Sequence, residues 1–212
     1  MVSYLAIILG SWWNLLHWLS LTFFAMSVGY AGFGARVFGK QSDGRLPVWS
    51  KIVHFPYLAF SQCVWQIARL LSRENPVDKV SDDLILGRRL YARELPAGIS
   101  NYVDLTAEAE DPESIRKTEM YFTLPILDAS VPSSDALHLA ITRLKPGPTF
   151  VHCAQGHGRT GLFALALLAE HHQIQSFDDG MAIIKTVRPG VGLNKTQESF
   201  IKTYIAEIAR KK

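Results

Sequence analysis

Twelve residues, "FVHCAQGHGRTG" from Phe150 to Gly161, hold a cysteine, two histidines, three glycines and an arginine. Gly156 and Gly158 can take backbone conformations closed to other residues. A run of backbone N–H groups turned inward, at the N-terminus of a following helix, makes an anion site sized for phosphate. Arg159, at the start of that helix, adds a planar fork that can bind two oxygens of one phosphate. The same positive field stabilises a thiolate, so Cys153 is expected to have a lowered pKa and to attack the phosphorus atom seated above it. The chain has two cysteines. The second, Cys63, lies in an aromatic, apolar run and reads as a lipid-facing or packing thiol rather than a ligand, and no disulfide framework is expected.

The elements that must position this loop are legible downstream of the polar linker "RENPVDKVSDD". "LILGRRL", "ISNYVDLTAE" and "MYFTLPILDAS" read as strands. "SSDALHLAITRL" reads as a helix with an N-cap at Ser133 and Leu137, Ala140, Ile141 and Leu144 at helical spacing. "KPGPTFVHC" reads as a turn and a buried strand, and "GRTGLFALALLAEHH" as a buried helix. Two amphipathic helices follow, "SFDDGMAIIKTVRPG" and "NKTQESFIKTYIAEIARKK", separated by a Pro-Gly loop. Strands alternating with helices predict an α/β fold with a mostly parallel central sheet flanked by helices, here over residues 80–212.

The N-terminal part has a different composition. No Asp, Glu, Lys or Arg occurs from Met1 to Ala35, while Trp12, Trp13, Trp18, Phe23 and Phe24 sit among Leu and Ile. Roughly 20 apolar residues span a bilayer core, so residues 1–35 are predicted to be a transmembrane segment. The start lacks the basic region of a cleaved signal peptide. Arg36, Lys40, Arg45 and Lys51 follow within a short loop, which the positive-inside rule places in the cytoplasm. The stretch Val48–Leu71 is apolar but broken by Lys51, His54, Pro56, Gln62, Gln66 and Arg69. At helical spacing Trp49, Ile52, Val53, Phe60, Val64, Ile67, Leu70 and Leu71 share a face, which fits an interfacial helix better than a second span. Residues 36–79 thus comprise the basic loop, this helix and a linker. An oxidisable low-pKa thiol also suits a cytoplasmic face. A net charge of +3 is too small to point to nucleic acid.

The pattern His-Cys-x5-Arg-Thr resembles the signature of the cysteine-based protein-tyrosine and dual-specificity phosphatases, and the resemblance covers about residues 80 to 208. The Gly-x-Gly-Arg-Thr-Gly ending is most similar to branches that include phosphoinositide 3-phosphatases and cell-cycle dual-specificity enzymes. The resemblance implies that Cys153 is the nucleophile and Arg159 the phosphate clamp, with Ala154, Gln155, Gly156, His157 and Gly158 completing the phosphate-binding loop. It makes Thr160 the hydroxyl that stabilises the leaving thiolate and His152 the residue that orients the loop. Asp128 in "LPILDAS", about 25 residues before Cys153, takes the place of the general acid and later of the base on water. Asp135 is the fallback, though it reads better as first-turn helix charge.

Glu108 matches the acidic residue that approaches the signature arginine, or is an exposed turn carboxylate. Asn194 and Gln197 match a late loop that positions the hydrolytic water, and Asn194 equally reads as a helix cap. His157 replaces a lysine of the phosphoinositide branch, which weakens the case for polyanionic headgroups. His171 and His172 read as surface residues at a helix C-terminus. No cofactor is expected, and no Asp/His cluster in the sequence suggests a metal. The expected function is a membrane-anchored phosphatase of phosphotyrosine and phosphoserine/threonine proteins. A phospholipid monoester phosphatase is the first alternative. A silent phosphate-binding module is the second, disfavoured because Cys153, Arg159, Thr160 and an Asp are all present.

Overall fold

The computed structural model describes residues 14–210, so the first 13 residues of the predicted membrane segment lie outside the described residues. Five strands form one sheet: β1 (Val77–Lys79), β2 (Leu84–Arg88), β3 (Asn101–Thr106), β4 (Tyr121–Ile126) and β5 (Thr149–Cys153). Their spatial order is β1-β2-β5-β3-β4. All neighbours pair in parallel except β1, which runs antiparallel to β2. The mostly parallel sheet is therefore as expected. Strand β1 is an addition, formed by residues that read as linker because three residues are too short for an alternation to show.

The helices are α1 (Asn14–Val28), α2 (Val48–Val53), α3 (Phe55–Leu71), α4 (Glu113–Arg116), α5 (Ser134–Thr142), α6 (Gly158–Glu170), α7 (Phe177–Val187) and α8 (Lys195–Arg210). Ser133 caps α5 as predicted, its hydroxyl accepting from the Ala136 N–H. Strand β5 is buried along its whole length at the centre of the sheet. Its alternation sends Val151 and Cys153 into the main core with the nearly all-buried α6, while Phe150 and His152 stack toward Tyr102 on the other face.

The N-terminal segment is fused to this core. One helix, Leu16–Phe38, is long and apolar enough by length and composition to cross a membrane. Within it the α conformation gives way after Val28 to a π turn and a 3-10 turn, broken by Gly32 (φ 127°) and Gly34 (φ 65°). Met26, Val37, Phe38 and Leu46 then form one buried cluster with Ala107 and Leu127. The expected single helix over 48–71 is corrected to two. It breaks at His54 (φ −95°, ψ 6°) because Pro56 has no N–H to continue the ladder. Helix α1 holds that joint: Trp18 Nε1 donates to the Ile52 carbonyl (2.7 Å) and Thr22 Oγ1 to the Val53 carbonyl (2.8 Å). Helix α3 then docks on the sheet domain through Trp65, Gln62, Gln66 and Arg69, which bond Ala154, Arg89, Tyr91 and Glu94 respectively.

Candidate active site

Cys153 is the last residue of β5, and five residues later α6 begins at Gly158. The intervening loop is held from outside by its carbonyls. Trp65 Nε1 donates to Ala154 O (3.1 Å), Arg188 Nη2 to Gln155 O (2.9 Å) and Arg188 Nε to Gly156 O (2.9 Å). In a planar trans peptide the N–H points opposite to the carbonyl, so the amides of Gln155, Gly156 and His157 turn into the loop. Gly156 makes the turn possible: its φ is +76°, and a Cβ there would lie 2.2 Å from the carbonyl oxygen of Gly87.

The thiol sits inside this ring of donors. Burial pushes the Cys153 pKa up. The Arg159 guanidinium, the Thr160 hydroxyl and the backbone N–H groups of Thr160 and His157 more than offset that and hold the thiol below its ordinary range. The Thr160 hydroxyl is buried with no nitrogen or oxygen partner among the described residues, which leaves it to the sulfur.

Arg159 is 2 % exposed. Its Nη1 and Nη2 reach the two carboxylate oxygens of Glu108 at 2.9 and 2.8 Å, and Nη1 also donates to the Ile126 carbonyl (2.9 Å). Glu108 is thus a buried partner of the signature arginine, not an exposed turn carboxylate. Its carboxyl lies below the usual range because Arg159 outweighs the effect of burial. Arg159 Nε is buried and has no partner among the described residues. A donor left without an acceptor next to a depressed thiol is a place for an anion oxygen.

Asp128 follows β4 on a loop that crosses the mouth. Its side chain is 69 % exposed, with Oδ1 3.3 Å from Arg159 Nη2. The loop is tethered at three successive carbonyls: Tyr30 Oη donates to Asp128 O (3.2 Å), Asn194 Nδ2 to Ala129 O (2.7 Å) and Gln197 Nε2 to Ser130 O (3.1 Å). Ala129 takes φ +57°, a left-handed conformation unusual for alanine. Asn194 and Gln197 also bond one another's backbone reciprocally at 2.9 and 3.2 Å, a box at the start of α8. Both readings of Asn194 therefore coincide in position, since the capping residue faces the loop that carries Asp128. Gln197 also lies at the loop between β5 and α6, where a Cβ on Gly158 would sit 3.0 Å from its Oε1.

His152 is fully buried, with Nε2 3.0 Å from Asp111 Oδ2 and 3.9 Å from Asp104 Oδ1. Burial lowers its pKa, and Asp111 and Asp104 together raise it further than burial lowers it. These three residues offer ligand atoms within 4.8 Å of one another, a cluster the sequence did not reveal. It has its cation in the chain itself: Lys40 Nζ lies 2.6 Å from Asp104 Oδ2 and donates to Thr106 O (2.7 Å), while Tyr121 Oη donates to Asp104 at 2.7 Å. The cluster reads as an ion network rather than a metal site.

His157 gives its Nε2 to Glu74 (2.7 Å). Asp135 stands exposed in the first turn of α5, and His171, His172 and Cys63 are exposed, none of them lining the cleft at Cys153. Arg188, Trp65 and Tyr57 were missed in the sequence. A cleft of about 390 Å³ opens above Cys153, with Tyr57, Phe60, Val64 and Trp65 of α3 as one wall and Glu108, Asp128 and Arg159 opposite.

No known family model matches the chain. It is 34% identical over 89 residues to "Putative tyrosine phosphatase 197R" of Invertebrate iridescent virus 6, which covers 36% of this chain and 34% of that protein. The chain therefore spans about a third of the length of this relative. Among solved structures, PTPMT1 in complex with PI(5)P superposes with a TM-score of 0.56 at 15% identity, over 65% of this chain and 99% of that one. The human tyrosine phosphatase-like serine/threonine/tyrosine-interacting protein gives 0.56 at 19% identity, again over 65% and 99%. Human DUSP28 gives 0.55 at 17% identity, over 64% and 99%. At these identities the likeness is one of architecture, and the chain has the fold of the tyrosine and dual-specificity phosphatases.

Proposed function

We propose that this protein is a cysteine-dependent phosphomonoesterase held at a membrane by its N-terminal apolar segment. The observation that carries this reading is the buried Cys153 thiol, held below its ordinary pKa, beside an arginine with one unclaimed donor. In the proposed reaction the Cys153 thiolate attacks phosphorus in line with the leaving oxygen. Arg159 Nε and the inward amides bind the equatorial oxygens. Asp128 gives its proton to the leaving alkoxide or phenolate, and a cysteinyl-phosphate remains. Water then attacks that intermediate, Asp128 takes its proton, and Thr160 donates to the departing thiolate. Gln197 would orient the water with the part of Oε1 that Asn194 does not use. His152, fixed by Asp111, would hold the strand end under the thiol. None of these steps calls for a cofactor.

The resemblance of the signature supports phosphotyrosine and phosphoserine/threonine proteins as substrates, and the viral relative, a putative tyrosine phosphatase, supports the first of these. One observation favours a second reading, a phospholipid monoester: the wall of the cleft is Tyr57, Phe60 and Val64 on the apolar helix α3. The fold neighbour PTPMT1 was solved with PI(5)P. Glu74 beside His157 opposes a second phosphate nearby, so a headgroup with one phosphate fits better than a polyanion. The testing experiment compares the full-length protein and Cys153→Ser on phosphopeptides and on phospholipid monoesters in mixed micelles. Cys153-dependent turnover of either class supports the enzyme, and the ratio assigns the class. Absence of turnover on both would leave only a phosphate-binding module.

A further inference from the structure

Helix α3 is amphipathic in the inverse sense of a surface helix on a water-soluble domain. Its polar side chains face the protein: Gln62 bonds Arg89, Gln66 bonds Tyr91 Oη, and Arg69 pairs with Glu94 and lies over the Tyr91 ring. Apart from the buried Trp65 and the partly buried Tyr57 and Leu58, its large apolar side chains face away. Phe60, Ile67 and Leu71 are 67, 57 and 76 % exposed, and they recur at i, i+7 and i+11, one helix face. In water that arrangement would leave hydrocarbon unburied while polar groups were taken from solvent, so the outer medium of this face is apolar.

Two further observations identify that medium. The face continues through α2, where Trp49 and Ile52 are exposed, onto α1, which is bonded to the α2–α3 joint by Trp18 and Thr22. Helix α1 belongs to the helix Leu16–Phe38, whose length and composition suit a bilayer, and its own Phe23 and Phe24 are exposed. Past the end of α3 stands an exposed Arg73, the type of residue that meets anionic headgroups.

We infer that the outer face of α2 and α3 lies in the headgroup and upper acyl region of a lipid bilayer, so that the catalytic cleft, walled by the same α3, opens at the membrane surface. This rests on the reading of the early turns of Leu16–Phe38 as membrane-embedded, its far end being packed on the sheet domain through Tyr30, Val37 and Phe38, and it concerns how the domain sits rather than the chemistry it performs. Substrate would then reach Cys153 by moving along the interface, past Phe60 and Val64.

The test uses the full chain in nanodiscs of phosphatidylcholine with phosphatidylglycerol. In a Cys153→Ser background a nitroxide is attached to the native Cys63, which is exposed on α3. In a background that also carries Cys63→Ala it is attached at Ile67→Cys, Leu71→Cys and, as control, Ala206→Cys on α8. The result expected is that labels at 63, 67 and 71 collide with oxygen far more than with a water-soluble nickel chelate, whereas position 206 shows the reverse. Nickel access at 63, 67 and 71 in protein that remains on the discs would overturn the inference and leave the anchor standing. Protein that does not remain on the discs would overturn the anchor itself. Dipolar broadening that vanishes on dilution with unlabelled protein would assign the face to a second copy and also overturn the inference. With Cys153 present, the double variant Ile67→Asp, Leu71→Asp is expected to keep wild-type turnover of soluble p-nitrophenyl phosphate, which shows an intact fold. The same variant is expected to lose the protection of Cys63 from a water-soluble maleimide. Protection that persists would count against the inference.

Discussion

Arg159 and Glu108 are joined by two parallel hydrogen bonds of 2.9 and 2.8 Å beneath the signature loop, both side chains being almost wholly buried. The pair occupies both terminal nitrogens of the guanidinium and leaves Nε as a donor without a partner among the described residues. Glu108→Ala would leave a buried cation without its partner, a loss of about 3–5 kcal/mol of stability in a urea melt. Glu108→Gln keeps the shape and lets the guanidinium wander, so kcat/KM on an aryl phosphate should drop by roughly tenfold or more. A Glu108→Gln enzyme with unaltered kcat/KM would mean that Arg159 is held by its other contacts alone.

The pH dependence follows from the thiol. In the proposed reaction the thiolate is the nucleophile, so the acid limb of kcat/KM should lie below the ordinary thiol range, because Arg159, Thr160 and two backbone amides outweigh burial at Cys153. Thr160→Val removes one of these groups, and the midpoint of iodoacetate alkylation against pH should move upward. The same variant should slow breakdown of the phospho-enzyme by roughly tenfold, about the worth of one hydrogen bond to a charged atom. The sign for stability is fixed as well. A group whose pKa falls on folding stabilises the fold above its unfolded pKa, and that contribution disappears as pH falls through the folded value.

The part of the candidate site that lies in one stretch of chain was legible, because Cys153, Arg159 and Thr160 share a loop and are close in the sequence. The "LP-x-x-D" lead-in singled out Asp128, which the structure places at the cleft 3.3 Å from Arg159. The strands and helices beyond residue 80 were legible for a similar reason, since each carries its own period. Residues that act from a distance were not. Arg188 lies 32 residues beyond Gly156, and nothing in "TVRPG" says that its fork will bond two loop carbonyls. Trp65 and Lys40 sit in stretches whose composition speaks of membrane, which masks single side chains directed into the catalytic domain. The break at His54 was readable in principle from Pro56, but the apolar spacing runs across it without interruption.

Arg188 is expected to be a positioning residue for the phosphate loop. It is 1 % exposed, and besides Gln155 and Gly156 it bonds Asp78 (2.6 Å) and the Asn75 carbonyl (3.1 Å). A lysine gathers its donors on one nitrogen, which cannot span partners reached by three separate guanidinium nitrogens, and cannot reproduce the planar fork. Arg188→Lys should therefore weaken inhibition by vanadate at least tenfold while the mouth of the cleft, with Asp128, is untouched. If vanadate binds as in the wild type, the loop holds its shape without Arg188, and the residue is only a link between β1 and the rest.

The loop after the apolar segment is expected to be indispensable to the sheet domain, and Lys40 is the reason. Its ammonium is fully buried against Asp104, whose carboxyl is held well below its usual range despite burial, by Lys40 first and His152 second. Lys40→Met strands that carboxylate among Tyr121, Thr106 and a histidine 3.9 Å away, for an expected loss of about 3–5 kcal/mol. Adding Asp104→Asn to Lys40→Met should restore much of the loss, since the destabilisation comes from an unpaired charge rather than from the missing pair. Removing residues 1–47 would go further. It takes away Lys40 and also uncovers Leu127 and Ala107, which pack against Met26, Val37, Phe38 and Leu46 immediately beside Asp128 and Glu108. Burial of a leucine side chain alone is worth about 2 kcal/mol. The truncated domain should thus melt far below the full chain in the same detergent, and its Asp128 loop should be cleaved first in limited proteolysis. A truncated domain as stable as the full chain, together with a Lys40→Met variant that melts like the wild type, would make the N-terminal segment a detachable anchor.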